Sequence, residues 1–175
     1  MNWHDYFTYN AETGELIWKE RKRSDFNSAQ SYSTFKVKCM NKAAGAKAYT
    51  VRKNRLGIKT KIFGKQLYAH RIIWEMHHGK IPNNIYIDHI NGDPWDNRLD
   101  NLRLASPAEN VRNSKRSVNN TSGFKGVQSS GNKWKASIVV NGKYICIGTF
   151  LNKHDAAMAY NEAAKKLFGE FARFQ

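Results

Sequence analysis

Two short runs of mostly aromatic and aliphatic side chains near the start of the chain, separated by a polar turn, are typical of paired β-strands. Residues 6–9 and 16–18 carry aromatic and aliphatic side chains, and a polar segment with a glycine, residues 12–15, lies between them. This arrangement predicts an opening β-hairpin. The following residues, 21–35, are polar and turn-rich and show no clear period, so neither a helix nor a strand is predicted there.

A second hairpin is predicted from residues 56–63 and 66–70, with Gly64 and Lys65 at the turn between them. The short apolar run 72–76 that follows predicts a helix. Gly79 and Pro82 mark the end of this helix, because glycine often follows the last helical turn and proline cannot continue it.

The middle of the chain predicts the order strand, loop, strand, helix. The two strands are expected at residues 85–89 and 98–104. Ser106, Pro107 and Glu109 then predict the start of a helix, since serine caps free N–H groups, proline fits the first helical position and glutamate closes a capping box.

The last third of the chain predicts a new unit after a polar stretch, residues 114–122, whose composition is that of a linker. Residues 134–140 and 143–150 flank an Asn-Gly pair, which is the strongest short-range signal for a hairpin. A helix is predicted over 153–168, where repeated alanines leave one face small enough to lie close to a sheet.

Positive charge dominates the composition: 29 Lys and Arg stand against 14 Asp and Glu, for a net charge of +15. Residues 1–116 hold 21 basic and 11 acidic residues, and residues 117–175 hold 8 and 3. Such a field favours a polyanion, because each neutralised phosphate releases condensed counterions. A soluble basic surface is the alternative from charge alone, whereas an anionic membrane is disfavoured by the lack of a long basic amphipathic helix.

Cysteine usage and terminal sequence bear on the compartment. Cys39 and Cys146 are the only cysteines and lie far apart, so a zinc finger or ribbon cannot be built from them alone. The first residues lack the apolar run of a signal peptide, and no stretch has the length and apolarity of a transmembrane helix. We therefore expect a cytosolic protein.

Asp88-His89, Asn101 and Asn110 follow one another on the predicted strand, strand and helix. In this order and spacing they resemble the HNH (ββα-metal) endonuclease family, and within it the phage and intron homing branch. The resemblance extends over roughly residues 1–116 and implies a bacterial or phage-infected host cytosol. The surrounding runs that resemble the same branch are 87–93, 96–103 and 109–113.

These residue types suit phosphodiester hydrolysis. A divalent cation can stabilise the leaving oxygen while a neutral histidine takes a proton from water. Asp88 is a hard oxygen ligand suited to magnesium or manganese, and Asn110 offers a side-chain carbonyl from the first turns of its helix. Because neighbouring strand residues point to opposite sides, a bend at the strand end is needed to bring Asp88 and His89 to one site.

The resemblance implies a role for each motif residue. His89 is the general base, and Asp88 and Asn110 are the metal ligands. Asn101 is the middle Asn, which braces the strand-loop pair and holds the His89 segment in place. The implied cofactor is a divalent metal, Mg²⁺ with Mn²⁺ as the alternative, and a zinc-type site is disfavoured because the helix offers asparagines, Asn113 among them, in place of histidines.

Basic and polar residues around the motif are candidates for DNA contacts. Arg71 is a candidate DNA-binding residue. Arg103 and Arg112 flank the motif and are expected to bind phosphates, with a solvated surface as the alternative. His70 and Asn113 are possible accessory residues of the site. For His70, a packed position in the core is an equally good interpretation.

Residues 122–175 resemble the AP2/ERF DNA-binding domain family through the runs 122–127, 134–136, 147–150 and 155–161. That family folds as a three-stranded antiparallel sheet backed by one helix, in agreement with the predicted elements. The resemblance implies that the sheet lies in the major groove of double-stranded DNA. The candidate DNA-binding residues at matching positions are Lys125, Gln128, Lys133, Lys135 and Lys143.

Lysine mostly delivers charge to phosphate, whereas bidentate arginine reads guanine. Whether this module reads bases or contacts only phosphates is therefore left open. Trp134 is expected in the core of the module rather than against a base.

The predicted fold class is α+β: a β-rich N-terminal region with a ββα-metal (His-Me finger) core at about 85–115, then a three-stranded sheet with one helix. The predicted domains are 1–116 and 122–175, joined by a linker at 117–121. The predicted function is metal-dependent endonucleolytic cleavage of duplex DNA by a free-standing homing or phage enzyme. The alternatives are a non-catalytic DNA-binding regulator of the AP2 type and an RNA-binding nucleoprotein, neither of which needs the His89 motif.

Overall fold

The computed structural model describes residues 2–48, 57–114, 117 and 119–174. The chain divides into two compact units, of which the first ends at Leu104 and the second begins at Ala105. Each unit has a hydrophobic core of its own. The chain contains both helices and β-sheets, in agreement with the predicted α+β class.

The opening hairpin is confirmed. Strands β1 (Phe7–Asn10) and β2 (Glu15–Trp18) pair antiparallel. Phe7 and Trp18 lie opposite each other in this pairing, with ring centroids 4.5 Å apart, and both are buried in the first core.

A helix occupies part of the segment for which none was predicted. Helix α1 (Ala29–Lys38) begins after Ser28, which forms a reciprocal capping box with Ser31. Of its residues only Phe35 is buried, packed at 5.4 Å against the ring of Trp18. One buried residue produces no apolar period, so this helix, which depends on its cap and on aromatic contacts with other segments, could not be predicted from periodicity.

Three strands form an antiparallel sheet in the order β3-β4-β5: β3 (Ala46–Ala48), β4 (Gly57–Ile62) and β5 (Lys65–Tyr68). The second predicted hairpin is thus confirmed, although its first residue, Leu56, lies outside the described residues. Its second strand was predicted too long: it ends at Tyr68, and His70 belongs to the next helix.

Helix α2 (Ala69–His78) begins directly after β5 and ends at Gly79, whose φ of 78° closes it as predicted. Its apolar side chains Ile72 and Ile73 are buried in the first core. This packing explains why the helix starts three residues before the apolar run that predicted it, since the first turn is held by tertiary contact and by the preceding strand.

The predicted strand-loop-strand-helix order is present. Strands β6 (Tyr86–His89) and β7 (Leu102–Ala105) pair with each other, and a 3-10 turn, Leu99–Asn101, precedes β7. The return strand is therefore shorter than the predicted 98–104. Its first residues turn because the Asn101 side chain bonds to the loop instead of extending a ladder.

The second unit carries helix α3 (Pro107–Arg112), the strands β8 (Val127–Ser130), β9 (Lys133–Val140) and β10 (Lys143–Phe150), and helix α4 (Lys153–Phe168). The strands form an antiparallel sheet in the order β10-β9-β8. Asn141 and Gly142 join β9 to β10 with positive φ of 51° and 78°, as the Asn-Gly signal predicted.

Small residues let α4 lie close to the sheet. Ala156, Ala157 and Ala164 are buried against Ala136 and Ile138 of β9. Trp134 packs at the margin of the same cluster, which confirms its predicted place in the core.

The boundary between the units falls earlier than the predicted 116, because α3 packs with the second unit. The guanidinium of Arg112 lies 4.5 Å from the Phe168 ring centroid, and Arg173 donates to the Asn113 carbonyl at 3.5 Å. Most of the predicted linker is described, apart from residue 118. None of the described helices is both long and apolar enough to cross a lipid bilayer.

Candidate active site

His89 occupies the end of β6 and is only 9% exposed. Its Nε2 lies 3.0 Å from Oδ1 of Asn97, which is 1% exposed. An amide oxygen can only accept, so this contact places the ring proton on Nε2 and leaves the lone pair on Nδ1. A neutral histidine in this tautomer is suited to take a proton through Nδ1.

Asn101 braces the loop that follows His89. Its Oδ1 accepts the Asn91 backbone N–H at 2.9 Å, and its Nδ2 donates to the Asp96 carbonyl at 2.7 Å. Its own carbonyl accepts the N–H of Ile90 at 2.9 Å. These bonds tie the start and the middle of the loop to one residue, in the manner expected of the middle Asn, whose catalytic importance stays a prediction.

Asp88 and Arg103 form an ion pair across β6 and β7. The Nε and Nη2 atoms of Arg103 each lie 2.9 Å from Oδ2 of Asp88, and both side chains are largely buried. The solvated-surface alternative for Arg103 is therefore wrong. Its predicted contact with DNA stays a prediction.

His70, in the first turn of α2, packs against His89. The two rings meet edge to face at a centroid distance of 5.1 Å, and Tyr68 stacks on His70 at 5.1 Å. Burial, reinforced by the neighbouring His89, lowers the pKa of His70 to about 3. His70 is thus neutral at physiological pH and adds no positive charge beside His89, which fits the packed position that was one of its two interpretations.

The loop between β6 and β7 is further held by Asp96. Its carboxylate accepts from Nε and Nη2 of Arg98 at 2.9 and 2.8 Å and from Nδ2 of Asn91 at 2.9 Å. The hydrogen bonds from Arg98 lower the pKa of Asp96 to about 2. This carboxylate therefore stays ionised and keeps its loop contacts over the physiological pH range.

The predicted metal ligands lie in different units. Asp88 is buried near the end of the first unit, and Asn110 is half-buried on α3, which Ser106 and Glu109 cap as predicted. Within the described ranges, no group of three or more His, Cys, Asp or Glu side chains is placed to hold a metal ion. The oxygen pair of Asp88 and Asn110, and the accessory role of the buried Asn113, stay predictions.

The face of the sheet opposite α4 carries only part of the predicted DNA-binding set. Gln128 pairs with Lys135, and Ser130 pairs with Lys133, so these side chains share the face that α4 does not cover. Lys143 pairs with Val140, whose side chain packs against the second core. The register therefore puts Lys143 on the α4 side of the sheet, where it is exposed, and its role in DNA binding stays a prediction.

Lys125 lies before β8 and is not on a strand. Its ammonium donates to the carbonyls of Arg112 and Ser114, at 2.5 and 2.8 Å, where it satisfies the end of α3. Burial lowers its pKa to about 8. These two hydrogen bonds of Lys125 do not fit an open contact with phosphate. Arg71 is half-buried on α2, and Arg112 is half-buried over the ring of Phe168.

Sequence reasoning missed two features of the site. Asn97 received no role from the sequence, although its Oδ1 lies 3.0 Å from Nε2 of His89. The contact of Tyr9 and Gly14 in the opening hairpin with residues 97–99 was also missed. The only local signal in the sequence was an Asn within a loop of many polar residues. Nothing in the sequence indicates that the opening hairpin contacts a segment more than eighty residues away.

Comparison of the amino-acid sequence with known proteins relates this chain to endonucleases. Residues 67–112 match the sequence model of a family described as HNH endonuclease, a span that contains His89 and Asn110. The chain is 39% identical over 117 residues to Protein 3.8 of Escherichia phage T7, covering 66% of this chain and 96% of the phage protein.

Two further relatives match over smaller shares of their length. An uncharacterized HNH endonuclease of Acanthamoeba polyphaga mimivirus is 42% identical over 109 residues, 61% of this chain and 56% of the viral protein. An AP2/ERF and B3 domain-containing transcription factor of Arabidopsis thaliana is 37% identical over 73 residues, 41% of this chain and 21% of the plant protein. No solved structure matches the chain.

Proposed function

Because this chain belongs to the HNH endonuclease family, we propose that it hydrolyses phosphodiester bonds of duplex DNA with a divalent metal ion, as a free-standing homing or phage-type enzyme. The observation that carries this proposal is the buried pair of Asp88 and His89 at the end of β6, with the His89 ring in contact with Asn97 of the following loop. A neutral histidine held through Nε2 and a neighbouring hard carboxylate are the two groups that metal-assisted hydrolysis requires.

His89 acts as the general base. It removes a proton from the attacking water through Nδ1 while Asn97 accepts the Nε2–H bond, so the positive charge that develops on the ring faces an amide oxygen. His70, which stays neutral beside it, raises no electrostatic barrier to that charge. Asn101 and Asp96 keep the loop after β6 in one arrangement, which limits reorganisation during the reaction.

The available donors fit a hard divalent cation. Asp88 and Asn110 would hold it through oxygen atoms, and magnesium is commonly bound by one or two carboxylates together with waters and substrate phosphate. When bound, the ion stabilises negative charge on the phosphate and the leaving oxygen. Magnesium is the proposed ion and manganese is the alternative, because both prefer oxygen ligands.

Arg103 complements this site through its ion pair with Asp88. The two nitrogen atoms that face Asp88 both meet Oδ2, which holds the carboxylate in one rotamer and balances its buried charge. Its position beside the motif supports a second role for Arg103, a contact with a phosphate of the bound DNA.

The second unit is proposed to be an AP2-like DNA-binding module. Its three-stranded sheet with α4 on one side, the residues that resemble that family, and the partial match to the Arabidopsis protein support this assignment. Lys133 and Lys135 on the open face suit contacts with the phosphate backbone. We further propose that the enzyme acts in the cytosol of a bacterium or a phage-infected host.

Digestion of supercoiled plasmid, linear duplex and single-stranded DNA tests the proposal. We expect cleavage of duplex DNA with magnesium, no cleavage with chelator, and recovery when magnesium or manganese is restored. Full activity in chelator would refute the metal requirement. Specific DNA binding without cleavage in the presence of any added metal ion would instead favour a non-catalytic DNA-binding regulator.

A further inference from the structure

Asn97 lies outside the residues to which the family resemblance gives a role, yet it contacts the His89 ring directly. It is 1% exposed, and its Oδ1 lies 3.0 Å from Nε2 of His89. Its Nδ2 is buried and has no hydrogen-bond partner among the described residues. Burying an unpaired donor is unfavourable. We therefore attribute the presence of this amide to its oxygen atom, which contacts His89.

The opening hairpin holds Asn97 from the backbone side. The Tyr9 hydroxyl accepts the Leu99 N–H at 2.9 Å and donates to the Asn97 carbonyl at 3.4 Å. Gly14, at the turn of the hairpin with φ of 71°, touches the peptide after Asn97: a Cβ there would lie 2.6 Å from the Arg98 nitrogen and 2.8 Å from the Asn97 carbonyl carbon.

These contacts leave the backbone around Asn97 little freedom. The Tyr9 hydroxyl forms hydrogen bonds with the residues on both sides of Arg98. Gly14 lets the hairpin turn approach this peptide closely, which the Cβ of any other residue would prevent. Burial raises the pKa of the Tyr9 hydroxyl, so it stays protonated and keeps its donor role. The hairpin thus acts on the loop, and the loop side chain acts on His89.

We propose that Asn97 is the positioning residue for the general base, and that the β1–β2 hairpin fixes Asn97 through Tyr9 and Gly14. Asn97 accepts the Nε2 proton of His89 and thereby directs the Nδ1 lone pair to the attacking water, whose proton passes to Nδ1. This inference rests on the proposed function for the identity of His89 as the base. It gives the hairpin, far from the motif in sequence, a part in catalysis.

Two substitutions at Asn97 separate positioning from packing. Asn97→Asp keeps an acceptor oxygen but buries a charge, whereas Asn97→Leu keeps the volume and removes the acceptor. We expect Asn97→Leu to lower kcat about 10- to 100-fold with KM unchanged, the range for loss of a group that orients an active-site ligand. Asn97→Asp should retain a higher kcat than Asn97→Leu even where its melting temperature is lower.

The decisive result is that Asn97→Asp has the higher kcat of the two variants although it has the lower melting temperature. A residue that only packs would give kcat values in the same order as the melting temperatures, and that outcome would overturn the proposal. A normal kcat for a folded Asn97→Leu protein would overturn it as well.

The hairpin is tested by the smallest available change. Tyr9→Phe removes the hydroxyl that bonds to the loop and should lower kcat several-fold without changing DNA affinity. Tyr6→Phe is the matched control, since Tyr6 lies in the same region with its ring against Phe63, away from residues 97–99. Equal kcat values for the two variants would remove the hairpin from the mechanism.

Nuclear magnetic resonance of protein labelled with ¹⁵N-histidine, without DNA, separates this inference from the proposed function. We expect the His89 proton on Nε2, protected from exchange in the native chain and exchanging faster in Asn97→Leu. That result with no DNA cleavage would refute the proposed function and leave the hydrogen bond standing. Cleavage by a protein whose His89 carries its proton on Nδ1 would refute the positioning role alone.

Discussion

The loop between β6 and β7, with the residues at its two ends, and the open face of the β8–β10 sheet both carry polar side chains, but they hold them in different ways. Around the loop, Asp88, His89 and Asn101 are each buried and each bonded to a partner. On the open face, Gln128 and Lys133 are exposed to solvent.

This difference corresponds to two kinds of work. A group that moves a proton must stand at one place and in one tautomer, so its neighbours are fixed before substrate arrives. A surface that follows a phosphate backbone gains from charge at longer range and tolerates mobile side chains. Substitutions in the loop should therefore change turnover, and substitutions on the open face should change binding.

The largest effect is expected for His89→Ala. Loss of a general base lowers the rate on the order of 100- to 10,000-fold, while the Kd for DNA should stay nearly unchanged because the ring is buried. Single-turnover cleavage and a filter-binding titration measure the two quantities. Near-normal turnover in this variant would show that His89 is not the general base. The proposed difference between a catalytic loop and a DNA-binding sheet face would then be wrong.

Asp88→Asn should weaken metal binding next. The change removes the only charged ligand of the proposed set, and we expect the affinity for magnesium or manganese to fall more than about tenfold, or about 1.4 kcal/mol. Calorimetry on the DNA-free protein measures it. Asp93→Asn is the control, since this exposed carboxylate caps a turn in the same loop; equal decreases in both variants would contradict the assignment.

The buried His70 predicts a pH dependence of stability. Its pKa is lowered from 6.5 to about 3 by burial, so between these values the unfolded chain binds a proton that the folded chain does not. The stability it contributes is complete above pH 6.5 and is lost as the pH falls below it, by up to about 1.4 kcal/mol per pH unit.

Urea unfolding of the native chain and of His70→Gln from about pH 7 to about pH 4 measures this effect. The difference between their free energies of unfolding should shift with pH over that range. His78→Gln, at an exposed histidine of the same helix, should follow the native curve. A pH-independent difference for His70→Gln would mean that its ring is solvated in the folded protein.

The smallest effect is expected on the open face. Replacing Lys133 and Lys135 by glutamine should reduce the slope of log Kd against log salt by about 0.9 for each phosphate that the protein no longer neutralises, with kcat unchanged at saturating DNA. Lys165 and Lys166, exposed on α4, provide the matched double variant. Equal slopes in the two double variants would show that the open face does not bind DNA.

Local signals in the sequence predicted most elements. The capping box of Ser106 and Glu109, the Asn-Gly turn between β9 and β10, and the glycine after α2 each act within a few residues, so their outcome can be read without knowing the fold. The order of His89, Asn101 and Asn110 in the motif is likewise visible in the sequence, whatever fold the other residues adopt. Helix α1 was missed because its stability depends on Phe35 meeting Trp18 from another element.

The sequence by itself determined the nuclease motif, the hairpins and the charge, because each is written in neighbouring residues or in composition. Tertiary structure alone decided that Asn97 meets His89, that Arg103 pairs with Asp88, that α3 packs with the second unit and that Lys143 lies on the α4 side of its sheet. These outcomes depend on strand register and on contacts between distant segments. A shift of one residue in a strand reverses the side to which every side chain points, and no local pattern records which distant polar group will satisfy a buried one.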